Sequence, residues 1–191
     1  MLLFATTNPN KITEVRTAMP GVELLTLADV APIPEPEETG TTFWENARLK
    51  ALAYAQATGR CVVAEDSGLE IDALGGEPGV HSARFLRPDA TYPERFAAIY
   101  QRLNGGSSAA RFVTALAVAE GGEILFETET AIEGTIASSP AGANGFGYDP
   151  IFLYPPAART TAQLADHEKA AVSHRARAFR DLQAWLNTRK T

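Results

Sequence analysis

Two adjacent acids at the end of an apolar run are the first residues in this chain equipped for chemistry. In CVVAEDSGLEID, residues 61–64 read as a buried strand too short for a helix, and Glu65 and Asp66 follow at its tip with Ser67 and Gly68. A carboxylate at the edge of a core loses hydration that only a cation or a set of donors can replace. Strand neighbours face opposite ways, so at most one of the acids points inward while the other can face a cleft. The pattern suits a divalent metal held by oxygens; it suits equally a strand-to-turn exit in which Asp66 and Ser67 bond local backbone.

Four further stretches carry reactive residue types. Thr6, Thr7, Asn8, Pro9, Asn10 and Lys11 leave a first short strand, with Asn8 as N-cap and Pro9 at the first helical position. A helix N-terminus beside a lysine is an anion site of the kind phosphates use, although the glycines of a Walker loop are missing. An ordinary capped helix with a solvated lysine is the alternative. In TFWENARLKALAYAQAT, Thr42 and Glu45 form a capping box, while Glu45, Asn46 and Lys50 place an acid, an amide and a base at one helix end, a trio able to hold metal and phosphate together. PAGANGFGYD surrounds Phe146 and Tyr148 with Gly142, Asn144, Gly145 and Gly147, which allow positive φ; it fits a stacking site for a planar base or a hairpin-like loop with core aromatics. Ser173 caps a helix that opens on His174 and Arg175, with Lys169 shortly before. Cations there are unfavourable unless an anion or polar ligand is near, and a solvated basic helix is the alternative.

The elements that must position these residues are legible from periodicity. Strands are predicted at residues 2–5, 22–27 and 61–64, helices at 42–58 and 93–104, a hairpin at 111–130 turning at Glu120-Gly121-Gly122, a strand at 151–156, and a mostly helical C-terminal segment. Antiparallel strands inside an α/β pattern predict a mixed sheet flanked by helices. Residues 28–40, rich in proline and acid, form an exposed loop long enough to be functional. At 191 residues the chain fits one domain, 1–191. A net charge of -6 with no basic run argues against nucleic-acid polymers as partners. The lone Cys61 excludes a disulfide framework and points to a reducing, cytoplasmic compartment. His81, His167 and His174 show no zinc spacing with it, so any metal is a hard one such as magnesium or manganese. No secretion signal and no membrane-length apolar run is evident.

Taken together, TTNPNK, TFWENARLKA, AEDSGLEIDAL, GVHSARF, RFVTALA, EGTI, GANGFGYDPIF and the terminal EK…SHRARA resemble the inosine triphosphate pyrophosphatase family, in order and over nearly the whole chain. Ala170, Ala141 and Phe85-Leu86-Arg87 depart from its usual residues. The resemblance implies an elongated mixed sheet with two lobes and a central nucleotide cleft, a homodimer, and hydrolysis of ITP, dITP or XTP to the monophosphate and pyrophosphate. It implies that Thr6, Thr7, Asn8, Pro9, Asn10, Lys11 and Lys50 cradle the triphosphate, that Ser67 touches phosphate, and that Glu45 and Asp66 hold Mg2+ or Mn2+. Asp66 is the implied base, supported by Glu65, with Lys11 assisting; Phe146, Gly147, Tyr148, Asp149, Lys169, His174 and Arg175 are implied to surround the purine. A related pyrophosphatase for pyrimidine or modified nucleotides, and a nucleotide-binding sensor without catalysis, are the competing functions. The decisive expectation is that Glu45 and Asp66 converge on one cation.

Overall fold

The computed structural model describes residues 1–189. Its sheet has seven strands in the order β2-β1-β3-β4-β5-β6-β7. β1 (Leu2–Phe4) runs parallel to β2 (Leu24–Thr26) on one side and to β3 (Val62–Ile71) on the other. β4 (Ala109–Glu120) and β5 (Glu123–Ile136) are joined by Gly121-Gly122, both at positive φ, the backbone that a two-residue hairpin turn demands. β6 (Phe152–Tyr154) is antiparallel to β5, and β7 (Arg159–Thr160) to β6. The sheet is therefore mixed, as the sequence pattern requires.

β3 differs from expectation in an instructive way. It does not stop at Ala64 but continues to Ile71, so Glu65 and Asp66 lie inside the strand rather than at its tip. Strand alternation sends the two acids to opposite faces, and each face supplies its own cations, described below.

Among the described residues five α-helices accompany the sheet: α1 (Pro9–Ala18), α2 (Phe43–Thr58), α3 (Tyr92–Leu103), α4 (Asp166–Val172) and α5 (His174–Thr188). The Asn8 side chain accepts from the Asn10 N–H, and Pro9 follows the cap, as predicted for α1. α2 begins with a complete Thr42/Glu45 capping box and ends at Gly59 in the left-handed region. The C-terminal helical segment is interrupted at extended Ser173.

The chain divides into two compact units, the first from Met1–Asp66, Thr114–Thr130 and the segment from His174, the second from Ser67–Val113 and Ala131–Ser173. In the first, Leu2, Phe4, Val63, Leu116 and Val118 of the strands meet Val15 of α1, Met19 just past its end, and Ala178, Phe179 and Leu182 of α5. Phe4 and Phe179 pack edge to face at 5.0 Å. In the second, Leu69, Ile71, Phe112, Ile132, Ile136 and Phe152 pack with Phe96 and Ile99 of α3. Burying one such side chain is worth roughly 1.5–3 kcal/mol, so these two interiors rather than surface ion pairs carry the stability.

One surface acid makes a testable exception in acid. Glu94 of α3 accepts from the Thr91 N–H (2.7 Å) and hydroxyl (2.8 Å) and from Arg87. These bonds, the Thr91 backbone first, hold its carboxyl down at about 2 from an ordinary 4.5. A depressed acid contributes stability above its unfolded value and loses it as pH falls through the folded one. The Glu94→Gln variant is therefore expected to differ from the parent in a pH-dependent way between pH 4.5 and about 2 in urea unfolding; a difference that stays constant across that window refutes the assignment.

Candidate active site

The first unit gathers one group of the predicted residues around β3. On one face, Glu65 Oε1 receives Lys11 Nζ at 3.0 Å and Arg175 Nε at 2.9 Å, and Arg175 Nη1 reaches Glu14 Oε2 at 2.5 Å. Burial pushes the Glu65 carboxyl up, but Arg175 and then Lys11 outweigh it and hold it well below the usual carboxylate range. Burial likewise opposes the Arg175 charge, and Glu65 with Glu14 more than compensates. The sequence predicted that cations at the start of α5 need an anion; the chain supplies its own, from β3 and α1. His174 is buried beside Arg175, its backbone carbonyl accepting from the Thr130 hydroxyl at 2.6 Å.

On the other face, Asp66 is 7% exposed and faces α2. Asn46 Nδ2 donates to its Oδ2 at 3.0 Å, and Lys50 Nζ stands 3.4 Å from its Oδ1. The same lysine donates to Glu38 Oε1 at 2.5 Å. Burial raises the Asp66 carboxyl, with Lys50 opposing and the Glu38 charge adding to the rise. Burial also works against the Lys50 ammonium, which Asp66 and Glu38 nevertheless hold above the ordinary lysine range. Two acids, Asp66 and Glu38, thus meet at the Lys50 ammonium.

Glu45, expected to converge with Asp66, has one carboxylate oxygen engaged at the start of α2. Its Oε2 accepts from the Thr41 N–H (2.6 Å), the Thr41 hydroxyl (2.9 Å) and the Thr42 N–H (3.1 Å). These are the contacts of a helix cap, which the sequence already offered as the structural reading of this residue. The acid that reaches Lys50 instead is Glu38, from the proline-rich loop, and the sequence reading missed it. That loop is fixed to α2 by the Gly40 N–H, which donates to Asn46 Oδ1 at 2.8 Å. A Cβ on Gly40 would come within 2.6 Å of that oxygen, so the position two residues before the cap calls for glycine. Among the described residues no three His, Cys, Asp or Glu side chains gather as a metal site.

The second unit holds the other group. Asp149 Oδ2 accepts from the Phe146 N–H at 2.8 Å and from Lys169 Nζ at 2.5 Å, and its Oδ1 from the Thr161 hydroxyl at 2.7 Å. Lys169 Nζ lies 5.2 Å from the centre of the half-buried Phe146 ring. Gly145, at φ 73, makes this possible, since a Cβ there would sit 2.1 Å from Asp149 Oδ2. Gly147 also takes positive φ. Tyr148 turns its ring into the core against Tyr92 (5.3 Å) and Phe96 (6.1 Å), and its hydroxyl donates to the Ser82 carbonyl. Of the two aromatics in the glycine loop, only Phe146 keeps its ring outside that core. Ser67, in β3, also belongs to this unit.

Residues 2–185 match the Ham1 family. A dITP/XTP pyrophosphatase of an Exiguobacterium species is 49% identical over 187 residues, covering 96% of this chain and 95% of its own length. One from Gloeobacter violaceus is 48% identical over 182 residues, covering 95% and 91%. The solved HAM1 protein of Coxiella burnetii matches with a TM-score of 0.90 at 36% identity over 98% of both chains.

Proposed function

Because this chain belongs to the Ham1 family, bearing out the resemblance seen in its motifs, we propose that it hydrolyses non-canonical purine nucleoside triphosphates to the monophosphate and pyrophosphate. On the structural side one observation carries the reading: a buried acid, Asp66, held by an amide and a lysine that is itself shared with a second acid.

The chemistry follows from what these groups can do. A water oxygen attacks the α-phosphorus, the bond to the bridging oxygen of the β-phosphate breaks, and pyrophosphate leaves with the bonding pair. Asp66 takes the water proton; burial has raised its carboxyl toward the range in which a base is effective. Lys11 and Lys50, together with the N-terminus of α1, offset charge on the departing phosphates; Thr6, Thr7, Asn8, Asn10 and Ser67 add donors, and Pro9 sets the start of the helix. Glu65 positions Lys11 and Arg175 from the buried side.

The cluster around Lys50 fits a divalent cation through the oxygen chemistry of its two carboxylates, Glu38 and Asp66. Glu38 and Asp66 would hold magnesium or manganese through their carboxylate oxygens, the ligands a small hard ion prefers. Such an ion supplies positive charge to the phosphate oxygens. Glu45 is assigned to the cap.

Base recognition falls to the second unit. Asp149 and Lys169 put an acceptor and a donor side by side, complementary to the N1–H and 6-oxo group of hypoxanthine or xanthine, with Phe146 as a stacking face. Adenine presents the opposite pair and leaves both protein groups unmatched, which rejects it strongly. Gly147 gives close backbone approach and Tyr148 supports the loop from the core. A cytoplasmic homodimer is part of the same proposal, and sedimentation measures the second half of it.

The expected result with dITP and XTP is stoichiometric pyrophosphate, no orthophosphate, dependence on added magnesium, and at least about 100-fold weaker kcat/KM with dATP. Release of orthophosphate from the terminal position overturns the reaction type. Tight nucleotide binding without pyrophosphate would identify a sensor instead.

A further inference from the structure

We propose that Thr161 is a specificity-positioning residue, whose hydroxyl fixes the Asp149 carboxylate so that it presents a defined acceptor edge beside Lys169. The inference rests on the base-recognition role assigned to Asp149 above, and assigns the group that sets its orientation. Asp149 is 3% exposed, and its two oxygens are served unequally. Oδ2 takes two donors, the Phe146 N–H and Lys169 Nζ. Oδ1 takes the Thr161 hydroxyl. That hydroxyl also lies 3.2 Å from the Asp149 carbonyl, but with a single proton it serves the nearer carboxylate oxygen.

Thr161 reaches Asp149 from a separate stretch of chain, the 3-10 turn Thr161–Gln163 that follows β7. This turn is held by its own bonds: Gln163 Oε1 accepts from the Thr160 N–H at 2.9 Å, and the Ala162 carbonyl accepts from the Asn144 N–H at 3.0 Å. Gly142 lies so close to the turn that a Cβ would come within 2.3 Å of the Ala162 backbone. The turn is thus the floor of the glycine loop, and the Thr161 hydroxyl is the point at which that floor grips the recognition acid. The buried Thr161 hydroxyl spends its one proton on Asp149 and acts through it.

Thr161→Val keeps the shape and removes the donor. Oδ1 is then left buried with one partner fewer, and the carboxylate can rotate, which spoils the acceptor offered to N1–H. Phosphate chemistry in the first unit is not addressed by this change. The expected result is a KM for dITP raised about ten-fold or more, kcat within about two-fold, and a reduced preference for dITP over dATP. Thr161→Ser, which keeps the hydroxyl, restores KM and preference. If the valine variant does not fold, Thr161→Ala, which adds no bulk, is compared with Thr161→Ser by the same readouts. Parental KM and preference in the hydroxyl-free variant overturn the inference, as does equal impairment of the serine variant, which would mark a packing role. A parent that releases no pyrophosphate from dITP fails earlier and overturns the proposed function along with it.

Discussion

Asp66→Asn is expected to lower turnover by roughly 100-fold or more while melting at or above the parental temperature. The two halves of that expectation have the same cause. Asp66 is a buried charge whose burial dominates its environment, and Lys50, its nearest cation, is shared with Glu38. A buried ion that is incompletely compensated opposes folding, so a neutral isostere removes a cost. Against this stands one new mismatch. Asn46 Nδ2 and Lys50 Nζ both donate toward residue 66, and an amide there can accept from only one of them. The two effects offset each other, which keeps the fold intact while the base and a metal-binding carboxylate are lost together. Turnover with dITP and thermal melting on the same preparation test it. Parental turnover removes Asp66 from the mechanism; a collapse in melting temperature shows that its role is structural.

What the sequence made legible was local. The Asn8-Pro9 helix start, the Thr42/Glu45 box, the Gly59 stop and the Gly121-Gly122 hairpin each depend on residues within a few positions of one another, and each is found where it was read. Partners far apart in the chain were not legible. Glu65 is neutralised by Arg175, 110 residues away, so nothing near the acid pair announced that a strand could continue through it. Tyr148 and Phe146 sit in the same glycine loop and look alike as candidates for stacking. Only the packing of Tyr92 and Phe96 separates a core ring from the other. Glu38 was hidden by its company: Glu35 and Glu37 precede it in a stretch whose prolines argue for irregular chain, and no spacing rule distinguishes the one that meets Lys50. Glu45, by contrast, was conspicuous because it satisfies a helix-capping pattern, and that pattern is the role its Oε2 performs.

Glu38 and Glu45 therefore give the sharpest comparison, since both are acids near the start of α2 and they are assigned opposite roles. Glu38→Gln removes the charge that shares Lys50 with Asp66. It is expected to lower turnover by roughly 100-fold, to weaken manganese binding measured calorimetrically in the presence of a non-hydrolysable triphosphate, and to change melting little. Glu45→Gln keeps an acceptor at the cap but gives up the charge that three donors and the helix N-terminus favour. It is expected to melt lower than the parent while turning over within about two-fold of it. The double variant then behaves as the sum, because a cap and a metal-binding carboxylate do not share a function. If Glu45→Gln instead matches Glu38→Gln in lost turnover and lost manganese affinity, with melting unchanged, the cation belongs to Glu45 and Asp66, and the contact between Glu38 and Lys50 is only the anchor of a loop.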